Sequence, residues 1–222
     1  MKKILILLVL LAVPSAIWLV MITGKNSFNT LAYFGPKDII EKNGKVDTVY
    51  HKIPAFSFTN QYGETISDKD LDGKIYIADF FFTRCKGICL KMSTEMGKVQ
   101  FEYKDDPHVV ILSHTVDPAY DSVEVLMQYA QQYRAEKDKW HMVTGDKKEL
   151  YDIARNGYLA VATKGDGGPE DFIHSQYFML IDPNKHLRGI YDGTDPFEID
   201  RLIDEIKVIK YEFQLKETRP ES

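Results

Sequence analysis

Cys85 and Cys89 are the two cysteines of a 222-residue chain, and three residues separate them. Two thiols cannot build a disulfide framework. The plain alternatives are small buried hydrophobes or one structural disulfide; the other reading is chemistry. If both cysteines are helical, their Cβ atoms lie about 5–6 Å apart, one turn along the same face, which suits a shared metal. A disulfide needs about 3.8 Å and therefore requires Cys85 in the loop ahead of the helix. Arg84 and Lys86 flank the first cysteine. With a helix N-terminus they favour thiolate over thiol, the form that binds soft metals and attacks disulfides. Soft thiolates select copper(I), zinc or iron–sulfur clusters, and two sulfurs alone leave such a site short of ligands.

Six histidines are available as a third ligand. His174 follows the glycine-rich stretch 165–169 and precedes an apolar run, where a loop can carry its imidazole over the cysteine turn. His114, at the end of a second apolar strand, is the next candidate, because strand ends in α/β sheets line functional crevices. His51, His108, His141 and His186 carry no such argument.

The elements that must position these groups are legible as periodicities. Ile53 to Phe58 alternates, and Asn60-Gln61-Tyr62-Gly63 supplies turn chemistry before Thr65 and Ile66, which predicts a hairpin. After Asp72-Gly73 the run 75–82 is nearly continuous apolar sequence, the pattern of a strand buried on both faces. Residues 90–103 place Met92, Met96 and Val99 at helical spacing, so the thiols sit where a strand hands over to a helix. Residues 108–113 read as a second buried strand and 122–133 as a helix, making a crossover unit. A short strand is expected over 140–143, a helix over 146–156, a loop over 165–169, two strands joined by Asp182-Pro183-Asn184, and a last helix over 199–209. This order predicts an α/β fold, a thioredoxin-like sandwich with a central mixed sheet.

At the N-terminus Lys2 and Lys3 precede an uncharged run over 4–22, long enough to span about 30 Å of hydrocarbon. It is read as a transmembrane helix, with a cleaved signal peptide as the alternative. Positive charge before the run places the N-terminus in the cytoplasm and the rest on the extracytoplasmic, periplasmic side of a single-pass protein. The expected division is a membrane anchor over 1–25, a linker over 26–51, the globular domain over 52–211 and a charged tail over 212–222. With 28 basic and 33 acidic residues and a net charge of −5, no electrostatic footprint for nucleic acid is visible.

The ordered combination of motifs resembles the Sco (SenC) family. It comprises Phe80-Phe81-Phe82-Thr83-Arg84-Cys85 with Cys89, Thr115-Val116-Asp117-Pro118 before the 122–133 helix, Trp140 with Thr144-Gly145, and Asp171-Phe172-Ile173-His174-Ser175 before Leu180-Ile181-Asp182-Pro183. The resemblance implies a thioredoxin-like domain tethered by one helix that binds copper and helps deliver it to the dinuclear site of cytochrome c oxidase subunit II, after receiving it from a copper donor protein. It implies Cys85, Cys89 and His174 as copper ligands, with Asp117 as a supporting acidic residue beside them; His114 is kept as a second supporting residue on its strand-end position alone. Family members usually place proline after each cysteine; here Lys86 and Leu90 stand there. Two further activities fit the pair: a thiol-disulfide oxidoreductase that reduces the cysteines of the copper acceptor, and a peroxide-reducing enzyme, against which the close second cysteine argues.

Overall fold

The computed structural model describes residues 2–3, 12–15, 30–42, 44–160, 173 and 175–218. The first two strands, β1 (Lys37–Lys42) and β2 (Lys45–Tyr50), form an antiparallel hairpin of their own within the segment expected to be a linker. Ile39 and Val46 of this hairpin remain exposed, so burial imposes no hydrophobic alternation there, and the sequence showed no sustained period. The chain leading into it is docked. Phe34 N–H donates to the Leu187 carbonyl, and the buried Arg188 guanidinium donates to the carbonyls of Leu31 and Ala32 while lying over the Tyr33 ring. Arg188 also pairs with Asp182 at 2.9 Å and Glu212 at 2.8 Å, so its buried charge is compensated on two sides.

The main sheet has seven strands. The hairpin of β3 (Ser57–Asn60) and β4 (Thr65–Ser67) turns through Gly63 at a φ of +76°, a conformation that glycine adopts without a Cβ penalty. Next come β5 (Ile75–Phe81), β6 (Val109–Thr115), β7 (Trp140–Thr144), β8 (Tyr177–Ile181) and β9 (Leu187–Asp192), with spatial order β4-β3-β7-β6-β5-β8-β9. β5 pairs parallel with β6, and β6 with β7, while β8 runs antiparallel to β5 and β9 antiparallel to β8. Every residue of β5 and β6 is buried, as a strand covered on both faces requires.

The two faces of β5 feed separate apolar layers. Ile75, Ile77 and Phe81 pack with Met92, Met96 and Val99 of α1 (Ile88–Tyr103), Leu126 of α2 (Val123–Gln132), and Ile199, Leu202 and Ile206 of the last helix. Tyr76, Ala78 and Phe80 face the other way, toward Leu150 and Tyr151 of α3 (Lys147–Asp152) and Ile153 and Ala154 of the π-helical turn Ile153–Gly157. The helix expected over 146–156 is therefore α-helical only in its first half. The last helix, α4 (Pro196–Thr218), runs beyond the expected 199–209 into the segment expected to be a charged tail, where Glu212 holds the buried Arg188. The α/β arrangement with a central mixed sheet is the expected one. No helix among the described residues is long and apolar enough to cross a membrane, and most of the run 4–22 lies outside those residues.

Candidate metal centre

The cysteines occupy the C-terminal end of β5, where the strand meets α1. A turn closed by the Cys85 N–H on the Phe82 carbonyl at 3.2 Å puts Cys85 ahead of the helix, whereas Cys89 lies inside its first turn. Of the two geometries open in the sequence, the pair thus adopts the one compatible with both a disulfide and a shared metal. Gly87 at the helix N-cap supplies no side-chain acceptor, and the Cys89 N–H donates instead to Cys85 Sγ at 3.4 Å. The sulfur takes the place of a capping oxygen.

This placement makes the two thiols unequal. Burial by itself would raise Cys85, but hydrogen bonds from the Cys89 thiol and from the backbone N–H groups of Cys89, Gly87 and Ile88 outweigh it, and Cys85 titrates below an ordinary thiol. Cys89, 3% exposed, is pushed well above: burial is the main cause, with its hydrogen bond to Cys85 and the negative charges of Cys85 and Asp79 adding to it. Cys85 is the accessible thiol and the more readily deprotonated of the two, and Cys89 is the buried one.

A loop from β6 braces the cysteine turn. Asp117, the acidic residue singled out by the resemblance, forms an ion pair with Arg84, whose guanidinium also lies 4.3 Å over the Tyr120 ring. Four residues on, the buried Asp121 accepts from Thr83 Oγ1 at 2.5 Å, Thr83 N–H at 3.2 Å and Thr115 Oγ1. A buried donor left unmade costs about 1–3 kcal/mol, so three donors on one carboxylate hold the strand end firmly. Burial pushes Asp121 up despite these hydrogen bonds. Thr83 belongs to the motif that carries the resemblance, but its partner Asp121 did not stand out in the sequence, since it lies 38 positions away and a lone Asp in a loop has no signature.

Asp79 was missed although its signal was present: it is the one carboxylate in the apolar run 75–82. Its neighbours on the same strand face, Ile77 and Phe81, belong to the layer that contains Cys89. Burial pushes it up to about 7, against a stabilising hydrogen bond from Ser113 Oγ, which in turn accepts from Trp140 Nε1 at 2.8 Å.

His114 does not stand over the cysteines. It pairs in register with Phe80 and lies in the opposite apolar layer, fully buried among the rings of Phe56, Phe58, Phe80 and Tyr158. Both its ring nitrogens lack a hydrogen-bond partner among the described residues, and burial brings it down to about 3. Strand position placed it at the right end of the sheet; side-chain alternation turned it to the other face.

His174 lies outside the described residues, but its neighbours do not. Ile173, Ser175 and Gln176 line a cavity of about 110 Å³ together with Cys89, Phe80, Phe82, Ile88 and Val116. Among the described residues, no three His, Cys, Asp or Glu side chains gather as a metal-binding group. A larger groove of about 710 Å³, between the start of β3 and α3, contains neither cysteine nor histidine.

A model of the SCO1/SenC family matches residues 45–210. The chain belongs to that family. The SCO1 protein homolog of Bacillus subtilis (strain 168) is 31% identical over 163 residues, which cover 72% of this chain and 84% of that protein. The structure of BsSco, described as a member of the Sco family of cytochrome c oxidase assembly proteins carrying a disulfide switch, is 31% identical with a TM-score of 0.61, covering 72% of this chain and 93% of that one. Arabidopsis thaliana ScoI, solved with copper bound, is 26% identical with a TM-score of 0.56 and covers 69% and 97% of the two chains. The mixed sheet flanked by helices is the thioredoxin-like fold of the Sco proteins.

Proposed function

We propose that this chain is a copper-binding Sco protein in which Cys85, Cys89 and His174 hold copper as cargo and hand it to the dinuclear site of cytochrome c oxidase subunit II. The observation that carries the reading is the cavity that Cys89 shares with both sequence neighbours of His174, Ile173 and Ser175, next to the half-buried Cys85 whose sulfur accepts the Cys89 N–H. Two thiolates and an imidazole form a soft, low-coordinate donor set suited to copper(I) and to ligand exchange. Binding at Cys89 displaces a proton from a thiol that burial keeps neutral, so copper affinity should rise with pH. The copper-bound relative and the family's link to oxidase assembly support the same assignment. In this reading the apolar run 4–22 anchors the domain, residues 52–211, on the extracytoplasmic face.

The same asymmetry favours a second role, thiol-disulfide exchange with the copper acceptor: Cys85 is placed to attack and Cys89 to resolve. His174→Ala separates the two. Copper retention against a competing chelator is expected to fall at least about tenfold while the Cys85–Cys89 disulfide still forms, because imidazole supplies a metal bond and no sulfur. Oxidase activity in cells at limiting copper should fall with it. Normal oxidase assembly in that variant would remove the chaperone role and leave the reductase.

A further inference from the structure

Among the described residues, the surface around the cysteine turn has a character opposite to that of the chain as a whole. Ile88, Leu90 and Tyr120 are 43%, 38% and 47% exposed, and Lys86 and Lys91 are exposed beside them. On the same face Asp117 is occupied by Arg84, and Asp192, which feels the charge of Lys91, is held by Thr194 and Gln176. α2, α3 and α4 each carry a glutamate in the first turn; α1 carries no acidic residue there and has Lys91 instead, against its own dipole. A local preference broken at a reactive end of the fold marks a surface shaped for something outside the chain. The protein's net charge of −5 makes this positive, apolar rim a local feature.

We propose that this rim docks a partner protein whose thiols are ringed by carboxylates, and that charge attraction steers those thiols onto Cys85. A protein fits better than a lipid surface. Arg188 and Leu187, which hold the incoming residues 31–34, lie at the start of β9, level through β8 with the start of β5, whereas the cysteines follow the end of β5. The entry point and the cysteine rim therefore sit at opposite ends of the sheet, roughly 20 Å apart for a seven-residue strand. The proposal rests on the copper-site reading above with Cys85 as the accessible thiol of the pair, and the test reads that accessibility separately.

The probes are two peptides of equal length, each with one cysteine in a disulfide with thionitrobenzoate, flanked by glutamates in one and by lysines in the other. The Cys85 thiolate attacks the peptide sulfur, forming a Cys85–peptide disulfide and expelling the thionitrobenzoate anion; Cys89 then attacks Cys85, loses its proton to solvent and releases the peptide thiol. Neutral hydroxyethyl disulfide normalises the intrinsic reactivity of Cys85. With the full chain in phosphatidylcholine vesicles at about 10 mM salt, where charges act over roughly 30 Å, the glutamate peptide should react at least about tenfold faster than the lysine peptide. The ratio should approach one at about 1 M salt. Lys86→Glu with Lys91→Glu should invert it. Equal normalised rates at low salt, or a ratio unmoved by the double substitution, would overturn the proposal. So would protection of Cys85 from the neutral probe by added phosphatidylglycerol, which would assign the rim to the bilayer. No reaction with the neutral probe would overturn the premise about Cys85 itself.

Discussion

Cys85→Ser and Cys89→Ser are each expected to abolish copper retention through dialysis against a competing chelator, an affinity loss well beyond the roughly 10–100-fold typical of losing a supporting residue. One thiolate and one imidazole do not make a site that holds a soft ion against a competitor. The two variants should differ in stability, which separates ligand loss from misfolding. Cys85 sits before the helix and accepts from its first N–H groups, a position in which a serine hydroxyl is a good cap, so Cys85→Ser should stay within about 1 kcal/mol of the parent. Cys89 is buried with Met92 and Phe81, and a hydroxyl there without a partner costs about 1–3 kcal/mol. Urea midpoints measured beside the copper titration read this difference. A Cys85→Ser protein that folds normally and keeps parental copper affinity would eliminate the proposed centre.

The second large effect is an opposed pair of pH dependences built into the core. His114 is fully buried and brought down to about 3 from an unfolded value near 6.5, so protonation favours the unfolded chain. Its stabilising contribution is complete above about pH 6.5 and is lost toward pH 3, at about 1.4 kcal/mol per unit and at most about 5 kcal/mol. Asp79 has the reverse sign. Raised to about 7 from an unfolded value near 3.9, it contributes stability at low pH that is lost as the pH climbs from about 4 through 7, at most about 4 kcal/mol. Between about pH 4 and 6.5 the two slopes oppose each other, and each can be exposed by removing the other. His114→Phe should gain stability relative to the parent as the solution is acidified, whereas Asp79→Asn should gain relative to the parent as the pH rises to 8. Overpacking by the phenyl ring would shift the His114→Phe curve by a constant and leave its slope. Urea unfolding at half-unit steps from pH 4.5 to 8 checks both; difference curves flat across that range would refute the assignment.

Much of the fold was legible because its strongest signals are local. The apolar runs of β5 and β6, the heptad-like spacing of Met92, Met96 and Val99, and the turn residues before β4 and β9 each specify an element without reference to the rest of the chain. The hairpin of β1 and β2 escaped notice because neither face is uniformly buried, and the second half of the 146–156 helix became a π-turn where Ile153 and Ala154 had to meet the core. Asp117 was singled out by resemblance, whereas its ion pair with Arg84 needed coordinates.

By itself the sequence determined the reactive groups and the order of the elements: two thiols at a strand-to-helix junction, a crossover unit around them, and the motifs that mark the family. Tertiary structure decided how those groups differ from one another. Which cysteine is only half-buried, why Cys85 is the sulfur that receives the helix N–H groups, how Asp121 ties Thr83 to Thr115, and why His114 faces away from the thiols all depend on how the chain packs in three dimensions. Residue type fixes what chemistry a side chain can do; burial and orientation, set by packing across the whole sheet, select which of those chemistries is stable.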